Sequence, residues 1–160
     1  MTRSRFARCL CVLFVLFSAS ISRASTTHVL TVNERVAESQ TVVVATATEI
    51  TPRWAVNAHG DQLIVSRVRL RVEEALKGQA ADVTDMEVEG GTLNGFTLHV
   101  SSFPELKSGD RAVLFLDKAG TVHVPHARGQ GILKIDDNNI VKGSRISLDD
   151  IRRVARAAAR

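Results

Sequence analysis

Cysteine and aromatic residues are scarce in this chain, and their scarcity closes off several readings. Its 160 residues include two cysteines, one tryptophan and no tyrosine. Both cysteines, Cys9 and Cys11, fall near the start, so residues 25–160 have no disulfide framework, no thiolate metal site and no cysteine nucleophile. No serine occupies a Gly-x-Ser-x-Gly elbow. Neither Gly90-Gly91 nor Gly129-Gln130-Gly131 is followed by the Gly-Lys-Ser/Thr of a phosphate loop. The adjacent pairs Asp136-Asp137 and Asp149-Asp150 read as turn and helix-start residues rather than an acid–base pair. Beyond residue 24 the aromatics are Trp54, Phe96, Phe103 and Phe115, a thin supply for a barrel that would hold single strands or glycans by stacking.

The first 24 residues explain a second apparent property. Arg3, Arg5 and Arg8 precede a short apolar run from Cys9, which closes on Ser22-Arg23-Ala24. A basic start, a brief apolar core and a small-x-small exit describe a secretory signal peptide, and the core is shorter than the ~20 residues that span a bilayer. Whole-chain charge is 21 Lys+Arg against 17 Asp+Glu. Arg3, Arg5, Arg8 and Arg23 leave with the signal and no acid does, so the remainder is balanced. The basic character belongs to the export signal and excludes a nucleic-acid footprint. The expected organisation is a signal peptide over 1–24 and one exported domain over 25–160, periplasmic or extracellular, with no stable membrane anchor. A domain of this size buries roughly two-thirds of its unfolded surface, enough to dispense with disulfides.

Pattern then supplies the elements. Thr31–Ser39 has Val32, Val36 and Ala37 at helical spacing behind a cap. Thr41–Ile50 is rich in β-branched residues, with small Val43, Ala45 and Ala47 on one face; Pro52 is expected to stop it, and residues 57–61 carry turn chemistry. Gln62–Gly78 holds the longest strict alternation, Val68, Leu70 and Val72 against Arg67, Arg69 and Arg71. A fold-back around Gly78 sets Arg71, Arg69 and Arg67 opposite Asp85, Glu87 and Glu89, so the arginines read as register-setting partners rather than an anion platform. The parity slip after Val72 predicts a bulge or helical turn over Glu73–Lys77. Val83–Glu89, Phe96–Val100 after an Asn94-Gly95 turn, the apolar Arg111–Leu116, Val122–Val124, Ile132–Ile135 and a short Ile140-Val141 after the Asp136–Asn139 turn complete the strands. Ser147 with Asp150 forms a capping box for a C-terminal helix over 147–159, with Leu148, Ile151, Val154 and Ala158 on one face.

The runs VVVATATEI, LRVEEALKG, EGGTLNGFTLHV, FPELKSGDRAVLFL and GQGILKI, between Gln40 and Ile135, resemble a group of bacterial exported proteins of unknown function. That group is similar to a pared-down netrin-like barrel, the oligomer-binding (OB) type also found in tissue inhibitors of metalloproteinases. The resemblance implies a mainly β fold: a small antiparallel OB-like barrel with a short N-terminal helix and a C-terminal amphipathic helix. Those inhibitors present an N-terminal cysteine to the protease zinc. Residues 25–160 contain none, so the inhibitory mechanism is not implied and no functional residue carries over.

Candidate sites are few. His123-x-x-His126 places two histidines on opposite faces of a strand around Pro125, and His59 and His99 are isolated, so no metal ligand, cofactor or catalytic residue is assigned. Trp54, with Arg53 and His59, is the best candidate for contact with a partner, placed in the loop after Pro52. The expected function is a non-catalytic exported module for a protein or peptide partner. The alternatives are a metal-dependent or hydrolytic enzyme using the histidines, or a glycan-binding barrel with an exposed aromatic patch around Trp54.

Overall fold

The structure, a computed structural model, describes residues 28–57 and 59–158. The expected signal peptide over 1–24, Ala58 and the last residue of the expected C-terminal helix lie outside them. The first element among the described residues is helix α1 (Val32–Glu38), started by a capping box in which Glu34 N–H donates to Thr31 Oγ1 at 3.3 Å and Thr31 N–H donates to Glu34 Oε2 at 2.7 Å. Strands β1 (Thr41–Val56), β2 (Gln62–Lys77) and β3 (Val83–Glu89) follow. A small hairpin of β4 (Gly91–Leu93) and β5 (Phe96–Leu98) precedes β6 (Arg111–Ala119), β7 (Val122–Pro125) and β8 (Ile132–Lys134), and helix α2 (Leu148–Ala158) ends the fold. A 3-10 turn at Arg128–Gly131 separates β7 from β8.

The main sheet has six strands in the order β1-β2-β3-β7-β6-β8, with β1 also pairing β6. All of these pairings are antiparallel except β3 with β7, which meet in parallel at Met86 and His123, so the expectation of a wholly antiparallel sheet needs that correction. The mainly β class with two flanking helices stands. Among the described residues no helix is long and apolar enough to cross a membrane.

Alternation along β1 and β6 builds two cores, one on each side of these strands. Val42, Val44, Val113 and Phe115 face α1 and α2, meeting Val36, Leu148, Ile151 and Ala155. Val43, Ala45, Ala47, Ala112, Leu114 and Leu116 face the opposite side, against Val68, Leu70 and Met86. β6 is covered on both faces, which accounts for its near-continuous apolar sequence. On α2, Ala155 rather than Ala158 completes the buried stripe.

Two sequence expectations change in the long β1–β2 hairpin. Pro52 does not stop the strand: β1 continues through it to Val56, with Pro52 opposite Ser66 and Trp54 opposite Ile64. The fold-back into β3 pairs Arg69 with Asp85 and Arg67 with Glu87, two residues away from the expected register. Beyond Val72 the strand keeps company with β1, Glu74 facing Val44 and Lys77 facing Val42, so the reversal is centred before Gly78. A shift of two preserves the faces. The irregularity expected over Glu73–Lys77 is present: the register slips between Val44/Ala45 and again between Val42/Val43, leaving Glu73 and Leu76 as extra residues on β2.

Candidate functional site

β1 and β2 together form an arm of 16-residue strands, about 50 Å long at ~3.3 Å per residue. Near its tip one face carries Pro52, Trp54 and Val56 from β1 with Ile64 and Ser66 from β2. The β4–β5 hairpin lies across this face. The close approach is at Gly91, where a Cβ would come 3.4 Å from both Pro52 Cβ and Ile64 Cγ2. Asn94-Gly95 turns the hairpin with φ of 51° and 82°, as its sequence predicts. Leu93 and Phe96 are opposite one another, so they share a face, and the Phe96 ring meets Trp54 edge-on with centroids 6.1 Å apart.

That aromatic pair stays open to solvent. Trp54 is 47% exposed, Phe96 65% and Val56 66%. The alternation around Phe96 suggests burial, but a three-residue strand in a separate two-stranded hairpin has too little cover to supply it. Trp54 is itself displaced from its expected setting, being a strand residue and not part of a loop.

The other candidates diverge from it. Arg53 points to the opposite face of β1, where its Nη2 meets Glu87 Oε1 at 2.7 Å. Glu87 also lies 3.7 Å from Arg67, and Arg69 pairs with Glu49 at 3.1 Å and Asp85 at 3.5 Å. The arginine stripe is thus interleaved with carboxylates, though with different individual partners than the sequence suggests. His59 is exposed at the tip of the β1–β2 hairpin, its N–H donating to Asn57 Oδ1 at 2.9 Å. Trp54, Arg53 and His59 therefore occupy one arm but do not converge.

Between the arm, the β4–β5 hairpin and the loop from His99 to Ser108 lies an open groove of about 520 Å³, which Pro52 and Thr97 line and which neither Trp54 nor Phe96 enters. Its apolar wall includes Ile50, Pro52, Val68, Val88, Leu98 and Phe103. Its polar groups mostly satisfy one another. Ser66 donates to the Gly90 carbonyl at 2.7 Å, Thr92 and Thr97 hydroxyls meet at 2.9 Å, and Ser108 donates to the Thr48 carbonyl at 2.8 Å. Glu89 is held by Arg128, whose guanidinium also lies over the Phe103 ring at 5.6 Å. The size suits a small ligand or a few side chains, and the lining favours apolar contact. Sequence reasoning missed this groove because its walls come from β1, β2, β3, the β4–β5 hairpin and the loop after it, which are spread over roughly sixty positions of the chain.

The histidines have separate surroundings. His99 lines the groove, and His123 Nδ1 lies 3.4 Å from Thr84 Oγ1. His126 contacts Asp117 at 2.7 Å and Glu38 at 3.3 Å. No group of three or more histidine, cysteine, aspartate or glutamate side chains is placed to hold a metal ion among the described residues.

Groups with displaced titration serve the scaffold. Thr31 and Ser147 hydrogen bonds hold the Glu34 and Asp150 carboxyls below their ordinary values at the two helix starts. Burial would raise Glu73, but hydrogen bonds from Thr46 and Arg111 outweigh it and leave it lowered. Burial lowers Arg35 on α1, while hydrogen bonds to Glu74 and Asp149 raise Arg152. None of these residues lines the groove. No family model and no curated protein matches the chain.

Proposed function

We propose that the chain is an exported, non-catalytic binding module that takes a protein or peptide partner at the groove beside Trp54 and Phe96. The observation that carries this reading is the half-open Trp54–Phe96 pair on the same arm and hairpin whose neighbouring residues, Pro52 and Thr97, line an apolar groove. Aromatic anchors beside a largely self-satisfied apolar wall recognise side chains by shape and burial rather than by chemistry on a bond. Export rests on the basic start, short apolar core and Ser22-Arg23-Ala24 exit of the leader.

The finer fold belongs to the same proposal. β1 pairs both β2 and β6, β3 meets β7 in parallel, and β7 pairs β6. These pairings support a small barrel of the OB, netrin-like type, with β8 as an annex and the long β1–β2 arm projecting from it.

Trp54 is the sole tryptophan and there is no tyrosine, so emission excited at the red edge reports Trp54 alone. Titrating protein 25–160 with pools of extended peptides should give a saturable shift in that emission. Phe96→Ala should weaken the binding about tenfold, the equivalent of ~1.4 kcal/mol. Silence toward every peptide pool, with a response to oligosaccharides, would replace this reading with the glycan-binding one.

A further inference from the structure

The outer half of β1 is a sheet edge. β6 accompanies β1 only over Thr41–Thr46. The loop before β6 extends that cover slightly, Gly109 N–H donating to the Ala47 carbonyl and Ser108 Oγ to the Thr48 carbonyl, both at 2.8 Å. From Ile50 to Val56 β1 has β2 on one side and, among the described residues, no strand on the other.

The hairpin fixes which backbone groups face the open side. Asn57 N–H donates to the Asp61 carbonyl at 3.0 Å, so 57 and 61 are a hydrogen-bonded pair. Antiparallel pairing alternates, so 55/63, 53/65 and 51/67 are hydrogen-bonded too. Ile50, Trp54 and Val56 therefore turn both N–H and C=O away from β2, and Pro52 turns its C=O. The same parity shows on β2, where the Ile64 carbonyl opposite Trp54 accepts from Gly90 N–H at 2.8 Å on the far side. Pro52 sits where a sheet tolerates proline, at an outward position of an edge.

The two faces flanking this edge differ. One carries Pro52, which lines the apolar groove, with Trp54 and Val56 further toward the tip. The other carries Arg53 and Arg67, each about half exposed at 48% and 47%, sharing the single Oε1 of Glu87. Two guanidiniums over one carboxylate leave the Arg53 end of that face locally cationic, while Arg69, held by Glu49 and Asp85, leaves the Ile50 end acidic. We infer that the Ile50–Val56 edge takes an extended peptide as an added strand, with apolar side chains on the Trp54 face and acidic ones on the Arg53 face. This rests on the peptide-binding reading above and names the occupant and its geometry.

An added strand satisfies the outward backbone groups, and its alternate side chains meet opposite chemistries, the pattern by which strand addition gains both affinity and specificity. A second copy of the same edge fits less well. In a two-fold pairing the donor missing at Pro52 is missing twice, and in the register centred on Arg53 the two guanidiniums face each other across the seam.

The test uses a soluble peptide of about nine residues alternating valine and glutamate, long enough to span Ile50–Val56 at ~3.4 Å per residue. A valine–lysine counterpart and two N-methylated forms, each blocking one edge of the peptide, accompany it. The valine–glutamate peptide should slow hydrogen exchange of the Trp54 and Val56 amides about tenfold or more. One N-methylated form and the lysine peptide should bind about tenfold more weakly, and Arg53→Glu should reverse the charge preference. A peptide that shifts Trp54 emission while those amides exchange freely overturns strand addition and leaves groove binding intact. No emission change with any peptide overturns the underlying reading as well. Protection that rises with protein concentration in the absence of peptide overturns the foreign occupant in favour of a second copy.

Discussion

Gly129→Ala is the substitution whose cost the structure defines best. Gly129 is buried in the 3-10 turn before β8, and a Cβ there would lie 2.5 Å from the Ser102 carbonyl carbon, 2.7 Å from Phe103 Cα, and closer still to the Ser102 oxygen. These are backbone atoms, so no rotamer change relieves the clash, and the 102–103 loop must move. Phe103 N–H donates to the Val100 carbonyl at 3.0 Å, its ring packs on the sheet-side core, and Arg128 covers it at 5.6 Å. Overpacking of this kind costs about 1–3 kcal/mol, and loss of the partly exposed cation–π contact adds about 0.5–1, giving an expected loss of about 3 kcal/mol. Gly120→Ala is the control. Its Cβ would meet nothing within 4 Å, but its φ of +64° is left-handed, so it should lose about 1–2 kcal/mol. Urea titration at 25 °C reads both. With m of about 1.5–2 kcal/mol/M, the Gly129 variant's midpoint should fall by about 1.5–2 M with unchanged slope. A midpoint no lower than that of Gly120→Ala refutes the close-approach argument.

Trp54→Ala should cost stability only about 1 kcal/mol, because half of the side chain is already in water, while removing the anchor from peptide binding; denaturation and calorimetry separate the two effects. Burial would raise the Asp110 carboxyl, but bonds from Lys134 and the Lys107 N–H, with the charges of Lys134 and Lys142, hold it below the ordinary value. Its contribution is therefore fully present above the unfolded value near ~3.9 and is lost as pH falls through the lower folded value. Denaturation from pH 6 down to 2 should show a smaller acid loss in Asp110→Asn than in the parent. Lys77 Nζ donates to the carbonyls of Val36 at 2.6 Å, Ala37 at 3.0 Å and Ser39 at 2.7 Å. Lys77→Met should cost about 2 kcal/mol and speed hydrogen exchange in α1 well before it affects β6.

Much of the fold is legible in the sequence because its signals are local. Thr31 with Glu34 and Ser147 with Asp150 mark helix starts through short hydrogen bonds, and Asn94-Gly95 has the backbone freedom its turn needs. Pro52 misleads because proline forbids a donor rather than a strand, and only the hairpin parity reveals that this donor faces away from β2. The Arg69–Asp85 register escapes by two residues because β2 follows β1 beyond Val72 before turning, a tertiary preference invisible to alternation. Trp54 can be singled out from scarcity alone. Its partner Phe96 cannot, since their contact joins an arm to a hairpin roughly forty positions away.

The Lys77 ammonium beneath α1 also bears on the order of assembly. A seven-residue helix is too short to hold itself in water. Its last carbonyls depend on a residue 38 to 41 positions later, which pairs with Val42 at the end of the hairpin farthest from its turn. Zippering from the tip reaches that rung last. Zippering of that kind ties α1, the first helix among the described residues, to the closing step of the longest hairpin, so that it takes its place after the strands that follow it.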